Sequence, residues 1–458
     1  MRFIFILLIL LSQSLFSQEH LIQITTSNNE TDEYTISEIE NITFELDNNA
    51  IVTVVFENET STEIELNNTS EIYIENMEMV FSSQGNNNQN EDYRYDINSI
   101  SSLEFETVVN TNLNRYPFGE LEVDEIIING LNNPWSIDFI DNNTLIFTEL
   151  AGGLFIHDIN ENSTVQVSGT PIFEAVGQGG MIDVTLHPDF NSNKMVYLAY
   201  SVGENWQFTT AVGRGTINGD RLENFEEIFR GSPLVGGGVH FGSRIIFDEN
   251  NKLYFSIGDR GDQNNAQDST NHYGSVMRIN DDGTVPDDNP YLDAPGAKPE
   301  LYTMGNRNIQ GMFYIEDRDE VWAVEHGPRG GDELNLIQAG ENYAWPLATF
   351  GINYDGSPIT DERSIPGYID PITYWVPSIA PCGMELVNYD AETNELDILI
   401  TTLSQQHLHR IRVRDYEVVE TVRSLEGYAR FRDVQLSPDG YLYAATQGPG
   451  RIIRLKNK

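Results

Sequence analysis

Residues 325–333 read EHGPRGGDE and follow a hydrophobic, strand-like run ending VWAV. The segment concentrates oxygen ligands, tight turns and a cation. Gly327, Gly330 and Gly331 let the backbone turn its carbonyls inward, while Asp332 and Glu333 supply carboxylates, the ligand chemistry that Ca²⁺ takes. An acidic surface hairpin is the other reading of this stretch alone. Further polar groups stand at turns along the chain: Gln178 in GQGGMID, His240 in GGGVHFGSR, Asp259 in SIGDRGD, Arg307 and Asn308 in MGNRNIQGM, and Arg430 and Arg432 in YARFRDV. Arginines at i and i+2 of a strand are expected on one face, where with Arg307 they could hold a polyanionic ligand. A histidine by itself is more often a packing or surface residue, so His240 gains meaning only from its companions.

The elements that must position these groups are strands. From about Leu121 a unit recurs, made of an apolar strand, a polar turn, a second aromatic-rich strand and a loop. Copies stand at Trp135 (WSIDFIDNNTLIFTE), Ile182, Arg244, Met312, Met384 and Val434. Six copies with no convincing helix between them predict an all-β fold, a six-bladed β-propeller, with a β-sandwich as the competing architecture. The runs VDEIII at 123–128 and RIIRL at 451–455 are expected to complete one blade together. The loops after the innermost strands are expected to converge on the mouth of the central channel, so that groups far apart in sequence share one site.

Ahead of the propeller, Arg2 precedes an unbroken apolar run from Phe3 to Leu11 and a small, polar stretch to Ser17, the pattern of a signal peptide over 1–17. No later segment approaches the roughly 18 apolar residues of a membrane span, so a secreted or periplasmic protein is expected. Residues 18–106 form a small β module whose repeat recurs with a period of about 30 residues. Tyr34, Ile36, Ile39, Ile42 and Phe44 share their spacing with Ile64, Leu66, Thr69, Ile72 and Ile74, and with Tyr95, Ile97, Ile100, Leu103 and Phe105. Each copy reads as strand, turn, strand, and GNNNQNED at 85–92 reads as a solvated, disordered loop. A linker over 107–119 leads to the propeller domain, 120–458. The chain carries 71 acidic and 26 basic side chains, and its net charge of −45 repels nucleic acid and anionic lipid. The single cysteine, Cys382, excludes an intramolecular disulfide framework and reads as a buried packing residue.

From about Gly130 to Leu455 the chain resembles the soluble quinoprotein aldose sugar dehydrogenases, the glucose/sorbosone dehydrogenase family. The motifs that carry the resemblance are GQGG, HFGSR, GTVPDDNP, GNRN-QGM, EHGPRGGDELN, NYAWPLATFGINY and RFRDV. The resemblance implies a six-bladed propeller that uses pyrroloquinoline quinone (PQQ) and Ca²⁺ to oxidise the anomeric carbon of an aldose to a lactone, with an external electron acceptor. It implies His240 as the base that takes the anomeric proton while hydride leaves for the quinone, and Asp259 as the carboxylate that orients it. Gln178 matches a contact to cofactor or substrate, and Arg307 and Asn308 match groups that bind the quinone and stabilise charge on its oxygens. His326 and Tyr354 match cofactor contacts, and Arg430 and Arg432 the clamp on the PQQ carboxylates. Gly327 and Pro328 match the carbonyls that hold the catalytic Ca²⁺, while Glu333 and the main chain of Tyr343 match a second, structural Ca²⁺ site.

Three positions depart from the family pattern. Ser404 stands near the place of a lysine that contacts PQQ, Val239 where Asp or Asn usually precedes the base, and Ile309 where proline follows the Arg-Asn pair. The first two support a rival reading, a non-catalytic carbohydrate- or protein-binding propeller that has lost its cofactor. A propeller esterase or lactonase using Ca²⁺ alone is a third, in which Arg430 and Arg432 lack a ligand. His407 and His409 share a strand face, and with no third ligand nearby they are expected to be exposed rather than to bind Zn²⁺. DDGTVPDDNP at 281–290 fails the spacing of an EF-hand and is expected to be a family loop.

Overall fold

The computed structural model describes residues 115–458 apart from Glu392, together with the backbone of the strands between residues 9 and 106. Contacts divide the chain into two units, Met1–Leu113 and Asn114–Lys458. In the first, strands build one six-stranded and one four-stranded sheet. Each of the three repeat copies supplies two strands, Thr31–Thr35 and Asn41–Ile42, Ser61–Leu66 and Glu71–Glu75, and Asn90–Asp96 and Ile100–Glu106, one to each sheet. Repeat positions 36, 39, 44, 69 and 97, and residues 85–89 of the Asn-rich stretch, lie outside the described residues. Ile9–Gln13, inside the expected leader, has strand backbone paired to His20–Thr25.

The second unit is a ring of six antiparallel sheets. Their innermost strands are Pro134–Phe139, Met181–Leu186, Ile245–Phe247, Ile309–Ile315, Pro381–Asp390 and Arg430–Leu436, the six places where the repeated unit was read. Strand position within a blade follows its sequence pattern. The second strand Thr144–Glu149 (TLIFTE) buries four consecutive residues because neighbouring blades cover both faces, whereas Ser163–Gln166 at the outer edge is exposed throughout. Each neighbouring pair of blades shares its own apolar cluster, and six such clusters complete the circle.

The ring closes at the sixth blade. Arg451–Asn457 pairs with Leu442–Gln447 on one side and with Leu121–Asn129 on the other, placing Val123 opposite Leu455 and Ile128 opposite Ile452. Near the start of the unit, the hydroxyl of buried Tyr116 donates to the Leu455 carbonyl at 2.9 Å.

Carboxylates on the innermost strands tie successive blades together. Asp138 accepts from the Leu186 amide (2.8 Å), Asp183 from Ile245 (2.6 Å), Glu385 from Leu436 (3.3 Å) and Asp433 from Ile137 (2.9 Å). Arg244 reaches across the channel, pairing with Asp183 and Asp433 at 2.9 Å each. Burial pushes Asp433 up to about 6 and Asp138 up to about 7, the cost of setting carboxyls in this lining.

Candidate active site

The convergent groups come from the opposite end of the innermost strands from the one expected. Gln178, His240, Arg307 and Asn308 all precede an innermost strand, and Arg430 opens one, while Asp259 and His326 follow the second strands Lys252–Ile257 and Glu320–Glu325. In an antiparallel blade the start of the first strand and the end of the second share one mouth, so loops entering the innermost strands build the site.

His240 sits in the left-handed region at φ 54, an uncommon state for a side chain with a Cβ, which costs about 1 kcal/mol or more unless its surroundings fix it. Its amide donates to Gln178 Oε1 at 2.8 Å, and its Nδ1 lies 2.5 Å from Asp259 Oδ1. Asp259 is buried, and its two oxygens also accept from the Gly261 amide (2.8 Å) and from Trp345 Nε1 (2.9 Å). Burial alone would raise this carboxyl; the His240 hydrogen bond and charge, followed by Arg307, outweigh it and hold Asp259 below its ordinary value. An ionised Asp259 requires a proton on Nδ1, which leaves Nε2 as the ring nitrogen that can take up a proton.

Arg307 is buried, and its guanidinium donates to the carbonyls of His326 and Gly327 at 2.9 Å and lies 5.3 Å from the Trp345 ring. The Arg307 and Asn308 amides, the second at 3.3 Å, both donate to one oxygen of Glu325. Asn308 Oδ1 accepts from the Gly242 amide at 3.2 Å, linking this loop to the one that carries His240. His326 Nε2 is buried without a partner, and burial, then the charges of Arg307 and Arg432, push this imidazole down to about 3, so it is neutral.

Arg432 is buried with its guanidinium 3.6 Å over the Trp135 ring, Nη1 3.4 Å from Cys382 Sγ and Nε unpartnered. Burial lowers its pKa, the mark of a cation set in the interior without a full complement of acceptors. Arg430 is exposed and reaches the Leu403 carbonyl at 3.2 Å. The two do not follow the simple alternation of a strand, because a β-bulge lies between Phe431 and Asp433. Cys382 is buried, as expected of the lone cysteine.

In the 325–333 loop, a Cβ on Gly327 would fall 2.3 and 2.4 Å from the carbonyl oxygens of Gly330 and Gly331, so only glycine lets these carbonyls converge. Asp332 is fully engaged: it accepts from the Gly327, Ile379 and Ala380 amides and from Ser378 Oγ at 2.7 to 2.9 Å. Its carboxylate therefore holds loops together instead of facing a cation. Pro328 is buried beside Gly351. Glu333 shares a small cavity with Glu325, Gly327, His326 and Trp345. Burial, then the charge of Glu325, pushes Glu333 well above the ordinary range, and the nearby Asn335 Oδ1 is buried without a partner. Tyr343 is buried, and its carbonyl accepts from Trp345 N at 3.0 Å. Tyr354 is 73% exposed on the following loop. Among the described residues no three His, Cys, Asp or Glu side chains form a ready metal-ligating group.

One further expectation is corrected. His407 and His409 are both buried: their rings meet edge-on with His407 Nε2 3.4 Å from His409 Nδ1, and His409 Nε2 accepts from Trp375 Nε1 at 3.2 Å, because the outer strand of the preceding blade reaches over His409. The 281–290 loop is fastened by Arg278, which grips both oxygens of Asp288 at 3.0 and 3.1 Å. Ile309 is buried at the start of its strand, Ser404 Oγ donates to the Ser378 carbonyl at 2.7 Å, and Val239 is exposed. Trp135, Trp345, Glu325 and Asn335 received no role from sequence. Trp345 stands inside the motif NYAWP, and its signal was that motif's aromatic; Trp135 opens a strand 297 positions before Arg432 and gave none.

The profile of the Glucose / Sorbosone dehydrogenase family matches residues 131–454. Aldose sugar dehydrogenase YliI of Escherichia coli is 36% identical over 340 residues, 72% of this chain and 92% of that protein. The crystal structure of the soluble aldose sugar dehydrogenase from Escherichia coli in the apo form gives a TM-score of 0.70 at 35% identity, covering 74% of this chain and 100% of that one. The PQQ-bound form of aldose sugar dehydrogenase from Streptomyces coelicolor gives 0.61 at 27% identity, over 74% and 98% of the two chains. The matched residues run through all six blades and include every group at the channel mouth, and the chain belongs to the glucose/sorbosone dehydrogenase family.

Proposed function

We propose that this protein is an exported, PQQ- and Ca²⁺-dependent dehydrogenase that oxidises the anomeric carbon of aldoses to lactones and passes the electrons to an external acceptor. The observation that carries the reading is His240 seated on ionised Asp259 with Nε2 free, beside the buried guanidinium groups of Arg307 and Arg432. The PQQ-bound Streptomyces relative supports the choice of cofactor, and the apolar 3–11 run supports export.

The residues present fit these groups. Arg432, with Nε unpartnered among the described residues and no carboxylate paired to it there, suits an anionic cofactor, with Arg430 at the rim and Arg307 on the loop entering the fourth blade. Gln178, Asn308, His326 and Tyr354 supply the remaining polar and aromatic contacts. The Pro328 carbonyl, with the Gly327 carbonyl that Arg307 holds in this structure, would take the ion bound with the cofactor. Glu333, the Glu325 carboxylate that disfavours its ionisation, and the orphan Asn335 Oδ1 suit a second Ca²⁺. When bound, PQQ accepts the hydride from C1. His240 Nε2 removes the hydroxyl proton from the same carbon, Asp259 fixes the tautomer and stabilises the imidazolium that forms, and Trp345 fixes Asp259.

The test is dye-linked reduction by the purified protein over a panel of aldoses, with and without added PQQ and Ca²⁺. Activity should require both additions, and His240→Ala should abolish turnover while leaving the PQQ absorption shift in place. A second reading, a sugar-binding propeller without cofactor, is favoured by Ser404, whose hydroxyl is spent on Ser378 near where the family carries a lysine. No activity together with no PQQ spectral shift would move that second reading to first place.

A further inference from the structure

Of the five tryptophans in the chain, Trp206 alone is exposed, at 77%. It occupies the second position of the two-residue hairpin between Glu204 and Gln207, with φ 52 at Asn205 and 63 at Trp206. These angles are those of a turn in which Asn-Gly is favoured, so a large aromatic is here in a strained conformation that buries little. Its ring meets Phe208 but stays largely in solvent, and an exposed aromatic in such a conformation points to function.

The hairpin stands beside the catalytic loop. Gln207 and Phe208 pair with Gly236 and Val235, and Trp206 meets the Phe208 ring edge-on at 6.5 Å, while buried Phe208 packs in one cluster with Phe241, next to His240. Gly236 to His240 is four residues, at most about 14 Å of chain. The wall between them offers no free carbonyl from its middle three residues. The oxygens of Gly237 and Val239 accept from Arg260, and that of Gly238 accepts from the Gln178 amide. What remains is glycine backbone, the exposed Val239 side chain and, at the far end, the Trp206 ring.

We infer that Trp206, with Val239, is a specificity-determining shelf that takes the CH face of a second sugar ring, so that the preferred substrates are reducing oligosaccharides. The inference rests on the proposed aldose oxidation at His240. An aromatic face and an aliphatic wall recognise a pyranose through its apolar face, while the polar first ring is held beside Gln178 and His240.

The test compares kcat/KM for glucose with kcat/KM for maltose and cellobiose at fixed dye concentration in wild type, Trp206→Gly and Trp206→Phe. The disaccharide-to-glucose ratio should fall about three- to tenfold in W206G, the worth of one aromatic contact, and recover largely in W206F. Glycine suits φ 63, so W206G should keep or raise Tm, and a lower ratio then cannot be laid to misfolding. Equal losses for all sugars, or a change confined to the KM of the dye, would overturn the inference; the second result would mark the shelf as an acceptor site. Should the wild type oxidise no aldose, the fluorescence of exposed Trp206 titrated with maltitol still decides. A saturable change missing in W206G supports the shelf, and no change in the wild type refutes it.

Discussion

Asp259→Asn is nearly isosteric, and its consequence can be worked out from the three donors around the carboxylate. Oδ1 accepts from His240 Nδ1 and from the Gly261 amide, and Oδ2 accepts from Trp345 Nε1. An amide has one acceptor oxygen, so its NH₂ must face a donor in either orientation. With the oxygen toward His240 and Gly261, the imidazole keeps its tautomer but exchanges a charge-assisted bond of about 1.5–3 kcal/mol for a neutral one of about 0.5–1.5 kcal/mol. A loss of about 1–1.5 kcal/mol in stabilising the imidazolium is roughly tenfold in kcat/KM. With the amide flipped, NH₂ faces Nδ1 and the proton moves to Nε2, which removes the base and takes activity to background. The orphaned Trp345 donor adds a stability cost of about 1–3 kcal/mol in the first orientation. The assay is PQQ-reconstituted, dye-linked turnover with PQQ affinity measured separately by absorption. A D259N enzyme with kcat/KM within about twofold of wild type and unchanged Tm would refute the assigned tautomer and the orienting role of Asp259.

Arg432→Lys keeps the charge but loses the planar stack on Trp135 and the Nε donor, and should weaken PQQ binding by about ten- to a hundredfold in a spectral titration; unaltered affinity would remove Arg432 from the clamp. Ca²⁺ at about a hundred times its Kd should stabilise the fold by about 2.7 kcal/mol, seen as a rise in Tm. Glu333→Gln should lose most of that rise, and an equal rise in the variant would place the ion elsewhere. Burial pushes Glu385 up to about 8 and Asp138 up to about 7. Both bind a proton more tightly folded than unfolded, so the stability they contribute is full below the ordinary carboxylate value of about 4 and is lost as pH rises through about 7 to 8. Tm should therefore decline across that window, and Glu385→Gln should reduce the decline; an unaltered slope would exclude Glu385 as a source.

The propeller was legible because each copy repeats two apolar strands around a polar turn, a pattern fixed locally by burial on both faces of a blade. The joining of Val123 to Leu455 was readable for the same reason: both runs needed partners that their own neighbours could not supply. The site was legible as a set of residues but not as a geometry. Alternation put Arg430 and Arg432 on one face, and the bulge that separates them is a backbone event with no residue-type signature here. His407 and His409 carry the polar labels of surface residues, yet both are buried and Trp375 of the adjacent blade reaches over His409, a contact between strands more than thirty residues apart. The partners that tune the named groups, Trp345 under Asp259 and Trp135 under Arg432, are apolar residues that sequence reading assigns to the core.

The seat of Arg432 has a consequence for the order of assembly. Its guanidinium rests on Trp135, and its neighbour Asp433 holds the Ile137 amide, so the first and last blades must already stand side by side for this half of the cleft to exist. A growing chain acquires His240, Asp259 and the 325–333 loop while the ring is still open. The Arg432 seat arrives last of these groups, because it needs Arg430–Leu436, the innermost strand of the sixth blade, set against Trp135 of the first. Whatever binds at Arg432 therefore meets a chain whose first and last blades have already joined.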